Sequence, residues 1–291
     1  MPIRNRCLLA LTLILSLCVN VSAQEITRES LGSPGPYQVA YYSSYPAVPE
    51  FSAATIYFPA NKGEDFAGIA ISPGFLESQE NISWWGNHLA SHGFAVLTLD
   101  TNEVRDDPSL RADALMAAIE VLRDEGDRMG GTLRGKILKD RMAIMGHSMG
   151  GGGTLIAANA HSAELRAAIP FAPWQPDGEF GAISIPTLVI AGENDRIAPV
   201  ADHALPHFDS LSEDIPKMYF EIKDGNHFIA NTGVGLFTPN IDVHDLVGGM
   251  AVAWLKLFVE GDEKYRELVF GEMPASDRER LSKWEFSEQE H

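Results

Sequence analysis

Cysteine is nearly missing from this sequence. It has two, Cys7 and Cys18, both close to the amino terminus. A disulfide framework or a thiolate metal site is thereby excluded for the rest of the chain, and stability has to come from a packed core. Basic residues are scarce too, 22 against 40 acidic ones, for a formal net charge of −18. No Lys/Arg-rich patch interrupts the acidic background, so neither nucleic acid nor an anionic membrane is an expected partner. His-Glu-x-x-His is absent, and the only G-x-G-x-x-G-like stretches carry a serine in the turn, so no metal and no cofactor is expected. Internal repeats, heptads and low-complexity tracts are also missing. The longest apolar run, Leu8 to Val19, is too short for a comfortable membrane span.

What stands at the start is a leader pattern. Arg4 and Arg6 precede the apolar run, and Val21-Ser22-Ala23 places small residues where a signal peptidase reads them. An uncleaved anchor is the alternative, and a lipoprotein signal through Cys18 is disfavoured by the bulky Leu17. Cleavage after Ala23 is expected, which gives a protein secreted to the periplasm or the extracellular space, without stable membrane association. Loss of Arg4 and Arg6 would make the charge two units more negative. Residues 24–291 suit one α/β domain, and 45% hydrophobic with 21% charged residues fits a globular chain, expected to be a monomer.

From about Thr55, short apolar runs alternate with helical patterns, the signature of βαβ units around a mostly parallel sheet. Strands are expected at Thr55–Phe58, Ala67–Ser72, Ala95–Leu99, Met142–Met145, Ala167–Phe171, Thr187–Ala191 and Lys217–Ile222. Helices are expected at Trp84–Ser91, Leu110–Glu125, Thr154–Ala160, Val200–Leu211 and Asp245–Val259. Residues 24–49 read as irregular or an edge hairpin. The charged stretch from Ser276 reads as a fraying tail.

One motif carries chemistry. The apolar run Met142-Ala143-Ile144-Met145 leads straight into Gly146-His147-Ser148-Met149-Gly150, and a helix follows. This is G-x-S-x-G in its strand–turn–helix setting, the nucleophile elbow of the α/β-hydrolase fold. Such a serine sits on a strained turn, and side chains at Gly146 and Gly150 would collide with the neighbouring strand and helix. The competing reading is a glycine-rich loop that binds an anion at a helix start.

In that fold an acid and then a histidine follow the serine along the chain. Asp195, in the loop after Pro186–Ala191, is the preferred acid, with Glu193 as runner-up. Asp195 could instead merely cap the next helix. His227, in Lys223-Asp224-Gly225-Asn226-His227-Phe228 beyond a strand, is the candidate base. His147 competes but lies inside the elbow, and His88 and His92 precede the serine. His161, His203, His207 and His244 lack the strand-then-loop context and read as surface residues. Oxyanion donors are expected at the N–H of Met149 and, in the loop Pro73-Gly74-Phe75, at the N–H of Phe75.

With these residues in view, the chain resembles the bacterial cutinases and polyester (PET) hydrolases from about Thr55 to Phe258. The resemblance lies in Ala70-Ile71-Ser72-Pro73-Gly74, Ala90-Ser91-His92-Gly93-Phe94, the run Met145 to Gly153, Ala168-Ile169-Pro170, Ala172-Pro173-Trp174 and Asp195-Arg196-Ile197-Ala198-Pro199. It implies cofactor-independent hydrolysis of aliphatic and aromatic polyesters, with Ser148, Asp195 and His227 as triad. It implies Phe75 and Met149 as oxyanion hole, and Phe75, Trp174 and Ile197 as substrate-binding walls of an open cleft without a large lid. Phe75 stands where the family often has tyrosine, and the family's C-terminal disulfide is absent. Trp174 could instead be a core tryptophan. A small-ester lipase or a serine peptidase on the same fold is the alternative, and a non-enzymatic binding protein is disfavoured.

Overall fold

The computed structural model describes residues 26–63, 65–233, 238 and 240–288. The expected leader and both cysteines lie outside the described residues. The described residues form an α/β-hydrolase fold around one sheet. Its strands are β1 (Val39–Tyr42), β2 (Ala53–Pro59), β3 (Phe66–Ser72), β4 (Ala95–Asp100), β5 (Ile137–His147), β6 (Ala167–Phe171), β7 (Thr187–Gly192), β8 (Lys217–Ile222) and β9 (Leu281–Ser287). They lie in the order β1-β2-β4-β3-β5-β6-β7-β8-β9. Strands β3 to β8 are mutually parallel, whereas β1, β2 and β9 run antiparallel to their neighbours.

The central strands read as continuous apolar runs because both faces are covered. In β3, Ile69 and Ile71 enter one core and Ala70 the other; in β5, Met145 and Ile144 divide the same way. Among the helices, α1 (Arg28–Gly32), α2 (Ser83–Ser91) and α6 (His244–Leu255) cover the first face with Leu31, Trp85, Leu89, Met250 and Trp254. On the second lie α3 (Pro108–Asp127), α4 (Met149–His161) and α5 (Ala204–Ser210), with Leu115, Ile119, Leu122, Leu155 and Phe208. Asp107 caps α3 by accepting from the N–H groups of Ser109 and Leu110, and Pro108 starts it without an orphan donor.

After β3 the chain passes to β4 on one side and returns to β5 on the other. The loops leaving β3 and β5 therefore diverge at their carboxyl ends, the kind of switch point at which open α/β sheets place their ligand sites. Several expectations need correction. Helix α4 begins directly after Ser148, five residues earlier than the pattern suggested, because four glycines conceal its first turns from a propensity reading. Helix α5 starts at Ala204 and not at Val200. Residues 223–243 form a long connection from β8 to α6.

The charged carboxyl-terminal stretch is not a fraying tail. Within it, β9 completes the sheet, with Leu281 against Ile222 and Trp284 against Phe220. Its charges belong to an edge strand, where they face solvent and discourage pairing with another chain. Arg280 anchors the approach to β9 through two 2.7 Å bonds to the Asp245 carboxylate. At the opposite edge β1 pairs with β2, within the segment expected to be irregular or a hairpin.

Candidate active site

Ser148 sits where β5 ends and α4 begins, with φ 54° and ψ −118°. A non-glycine residue holds that conformation only when its surroundings over-determine it. Here they do. Its N–H donates to Phe171 O at 3.1 Å, and its carbonyl accepts from Gly152 and Trp174 at 2.9 and 2.8 Å. A Cβ on Gly146 would lie 2.2 Å from Gly150 O, and one on Gly150 would lie 2.4 Å from Ser72 O. Both glycines are thus required by close backbone approach, as the motif suggested.

The hydroxyl of Ser148 lies 2.8 Å from Nε2 of His227, and Nδ1 of His227 lies 2.6 Å from Oδ2 of Asp195. All three residues are buried. The second oxygen of Asp195 accepts from the N–H groups of Ile197 and Ala198, both at 2.8 Å. The capping alternative fails, because the next helix starts at Ala204: one oxygen of Asp195 organises its own turn while the other orients the imidazole. Glu193 is exposed and accepts from the N–H of Asp224, away from His227. Burial pushes the His227 pKa below its ordinary value; the Asp195 hydrogen bond opposes this and the charge on His147 reinforces it.

Around this chain of bonds stand the other expected residues. Met149 is the first residue of α4, and Phe75 follows the Pro73-Gly74 turn after β3. Neither backbone N–H donates to another group among the described residues. Phe75 is 40% exposed and Ile197 53% exposed, large apolar surfaces beside the serine. Trp174 is half-buried and tilted over His203 at 5.8 Å, unlike the fully buried Trp85 and Trp254, so it is not a core tryptophan. A hollow bordered by Asn194, Arg196, Ile197, Asn226, His227, Phe228 and Asn240 opens next to the imidazole. This gathering of a relayed hydroxyl, two free N–H groups and apolar walls is competent for acyl transfer through a serine ester.

The profile of the PET hydrolase-like family matches residues 25–286. This chain belongs to that family. Cutinase 1 of Thermobifida cellulosilytica is 39% identical over 238 residues, covering 81% of this chain and 85% of that protein. A cutinase of Thermobifida fusca is 39% identical, with coverage of 81% and 74%. A bis(hydroxyethyl) terephthalate hydrolase of Streptomyces coelicolor is also 39% identical, over 81% of this chain and 71% of its own length.

Within this PET hydrolase-like site the structure adds residues that sequence reasoning missed. Glu77, 2% exposed, lies beneath the Phe75 loop with Oε2 at 2.8 Å from Nδ1 of His147. Arg111, fully buried, donates to Pro73 O at 2.9 Å and to the carbonyls of Asp106 and Val104, bracing the same loop. Burial lowers its pKa to about 10, so it remains a cation at neutral pH. Nothing in local sequence marks either residue, because their partners are remote. Of the histidines expected at the surface, only His161 is exposed; His203 and His207 are buried around α5, and His244 stacks on Trp84 at 4.2 Å. Imidazole is amphipathic, and its faces pack against aromatic neighbours as readily as other rings do. Among the described residues no group of three or more His, Cys, Asp or Glu side chains is disposed to hold a metal ion.

Proposed function

We propose that this chain is a secreted carboxylic-ester hydrolase that cleaves ester bonds of aliphatic and aromatic polyesters, PET included. Ser148 attacks the ester carbonyl as His227 takes its proton, and Asp195 holds the imidazole and stabilises its positive charge. The tetrahedral oxyanion is received by the N–H groups of Met149 and Phe75. Collapse expels the alcohol, protonated by His227, and leaves an acyl group on Ser148. Water, deprotonated by the same histidine, then releases the acid. Trp174, Ile197 and the Phe75 ring grip the apolar or aromatic acyl unit. The chemistry draws on no cofactor, and the enzyme works as a monomer.

The observation that carries this reading is the unbroken run of hydrogen bonds from Ser148 through His227 to Asp195. Support for an aromatic ester comes from the relative named for bis(hydroxyethyl) terephthalate hydrolysis and from the exposed aromatic and aliphatic walls. The test measures product release from polyester films beside a chain-length series of soluble esters, for wild type and Ser148→Ala. The variant should fold normally and lose nearly all turnover of p-nitrophenyl butyrate; retention of a tenth of it places the nucleophile elsewhere. Soluble-ester turnover without attack on any film would leave the small-ester esterase reading.

A further inference from the structure

Three loops meet behind Ser148, and one carboxylate touches all of them. Glu77 Oε2 accepts from the N–H of Gly74 at 2.6 Å and from Nδ1 of His147 at 2.8 Å. Its Oε1 accepts from Nδ2 of Asn231 at 2.6 Å. Gly74 precedes Phe75, His147 precedes Ser148, and Asn231 closes the turn that carries His227. Gly74 is wedged so tightly that a Cβ there would lie 2.8 Å from the Glu77 carboxylate and 2.9 Å from the Ser148 Cβ. The ring of His147 is held on its other side by a 2.8 Å bond from Nε2 to His227 O.

The donor set favours one protonation state. Both oxygens of Glu77 accept from neutral N–H groups, those of Gly74 and Asn231, which favours the ionised carboxylate. The His147 ring faces two oxygens that can only accept, a carboxylate and a carbonyl, so both its nitrogens carry protons and the ring is an imidazolium. Both side chains are essentially inaccessible, at 0% and 1% exposure. Burial alone would neutralise them. The directions agree that it does not: Glu77 is held below the usual carboxylate range and His147 above the usual histidine value, each by the other's charge against its own desolvation. Breaking such a pair strands a buried charge, which is far costlier than losing a surface contact.

We propose that Glu77 and His147 form a permanent buried ion pair that positions the oxyanion loop and the His227 turn about Ser148, Glu77 being a positioning residue that touches no substrate. The inference rests on the hydrolytic reading of Ser148, His227 and Asp195. A second consequence is electrostatic. His227 is faced by Asp195 from the loop after β7, by His147 from β5 and by Glu77 from the loop after β3; Arg111 of α3 lies beyond, braced on Pro73. The His147 and His227 imidazole centroids are 4.8 Å apart, and at His227 the charge of His147 outweighs that of Glu77. The pair therefore disfavours a second proton on His227 and keeps the base neutral further into the acid range.

Glu77→Gln tests this with little steric change. Asn231 Oδ1 is buried without a partner among the described residues and can turn to meet the new amide, so the variant should fold. His147 then loses its counter-charge and its second proton, and a lone pair faces His227 O. The expected result is a kcat for soluble esters lower by about 10- to 100-fold, as a misplaced catalytic group gives, with KM little changed. The acid limb of kcat/KM should move up by about 0.5 pH unit, a shift that a purely structural defect would not produce. Glu77→Asp keeps the charge and should restore the limb while recovering only part of kcat. Independently of turnover, nitrogen-15 histidine NMR of wild type and Ser148→Ala at pH 8 should show two ring N–H protons on His147, where a neutral ring carries one. A neutral His147 in that spectrum overturns the proposal even if Glu77→Gln does not fold. So does a Glu77→Gln enzyme with wild-type kcat and an unmoved limb. Failure of the hydrolytic reading looks different: Ser148→Ala stays active while the His147 signals are present.

Discussion

Gly150→Ala adds one methyl group at the most crowded point of the elbow. The new Cβ would lie 2.4 Å from Ser72 O and 2.5 Å from Pro73 O, where ordinary van der Waals contact begins at 3.4 Å. Both obstacles are backbone, so neither can rotate away. Either α4 or the end of β3 has to retreat by about 1 Å, and insertion of this kind into packed structure costs about 1–3 kcal/mol. The Pro73 carbonyl also accepts from Arg111, so its retreat would strain a buried hydrogen bond. Two residues past Pro73 lies the Phe75 N–H, the proposed oxyanion donor. Loss of one such donor lowers kcat by about 10²–10³-fold where it has been measured, because donor and oxyanion must stay within about 2.7–3.1 Å. The expected variant therefore loses about two orders of magnitude in kcat on p-nitrophenyl butyrate. Its melting temperature falls by about 2–4 °C for each kcal/mol lost. Gly181→Ala serves as control: that site is exposed, and its Cβ would meet only Ser210 O at 3.3 Å. Steady-state kinetics and thermal unfolding of the three proteins decide the matter. A Gly150→Ala enzyme within threefold of wild-type kcat and within about 0.5 kcal/mol of its stability would show that the contact is not limiting and refute the argument.

The remaining expectations concern pH and the cleft. Because burial lowers the His227 pKa, the rate on a neutral soluble ester should rise through a midpoint below the ordinary histidine value of about 6.5 and then plateau; a midpoint above 7 in the pH–rate profile contradicts this. His207 is buried and His88 half-buried, and desolvation lowers the pKa of each to about 4, so the folded state binds fewer protons than the unfolded chain between pH 6.5 and 4. Their contribution is fully present above pH 6.5 and declines as pH falls, by about 1.4 kcal/mol per pH unit for each group. Urea unfolding at pH 7, 5.5 and 4.5 should show that decline, with a shallower slope in His207→Leu. Trp174→Ala should depress hydrolysis of an aromatic polyester by about tenfold and of short aliphatic esters by less, since an aromatic contact adds about 0.5–1.5 kcal/mol beyond its area. Equal losses on both substrates would make Trp174 a packing residue.

The features legible in the sequence are those set by local stereochemistry. Strand and helix periods mark which residues face a core, so β3 to β8 and α2 to α4 were each located, with only their ends displaced. The elbow announces itself because its glycines, its serine and the strand before it are contiguous. Asp195 and His227 could be chosen from chain order and loop context. Edge strands are harder. In β9 the charges Lys283 and Glu285 interrupt the apolar residues, and only the pairing of Leu281 and Trp284 with β8 reveals the strand.

Other features belong to tertiary structure alone. The bond from His147 to Glu77 spans 70 positions and the bond from Glu77 to Asn231 spans 154. No periodicity or motif encodes such a meeting, because it arises where the segments that follow β3 and β8 reach the end of β5. The same holds for the protonation states. Sequence supplies an ordinary histidine value; at His147 the Glu77 charge raises it against burial, and at His227 burial lowers it against the Asp195 hydrogen bond. What the amino-acid order determined by itself was the path of the backbone and the identity of the reacting groups. Their charge states and their bracing were decided only when folding removed water and brought distant side chains within hydrogen-bond reach.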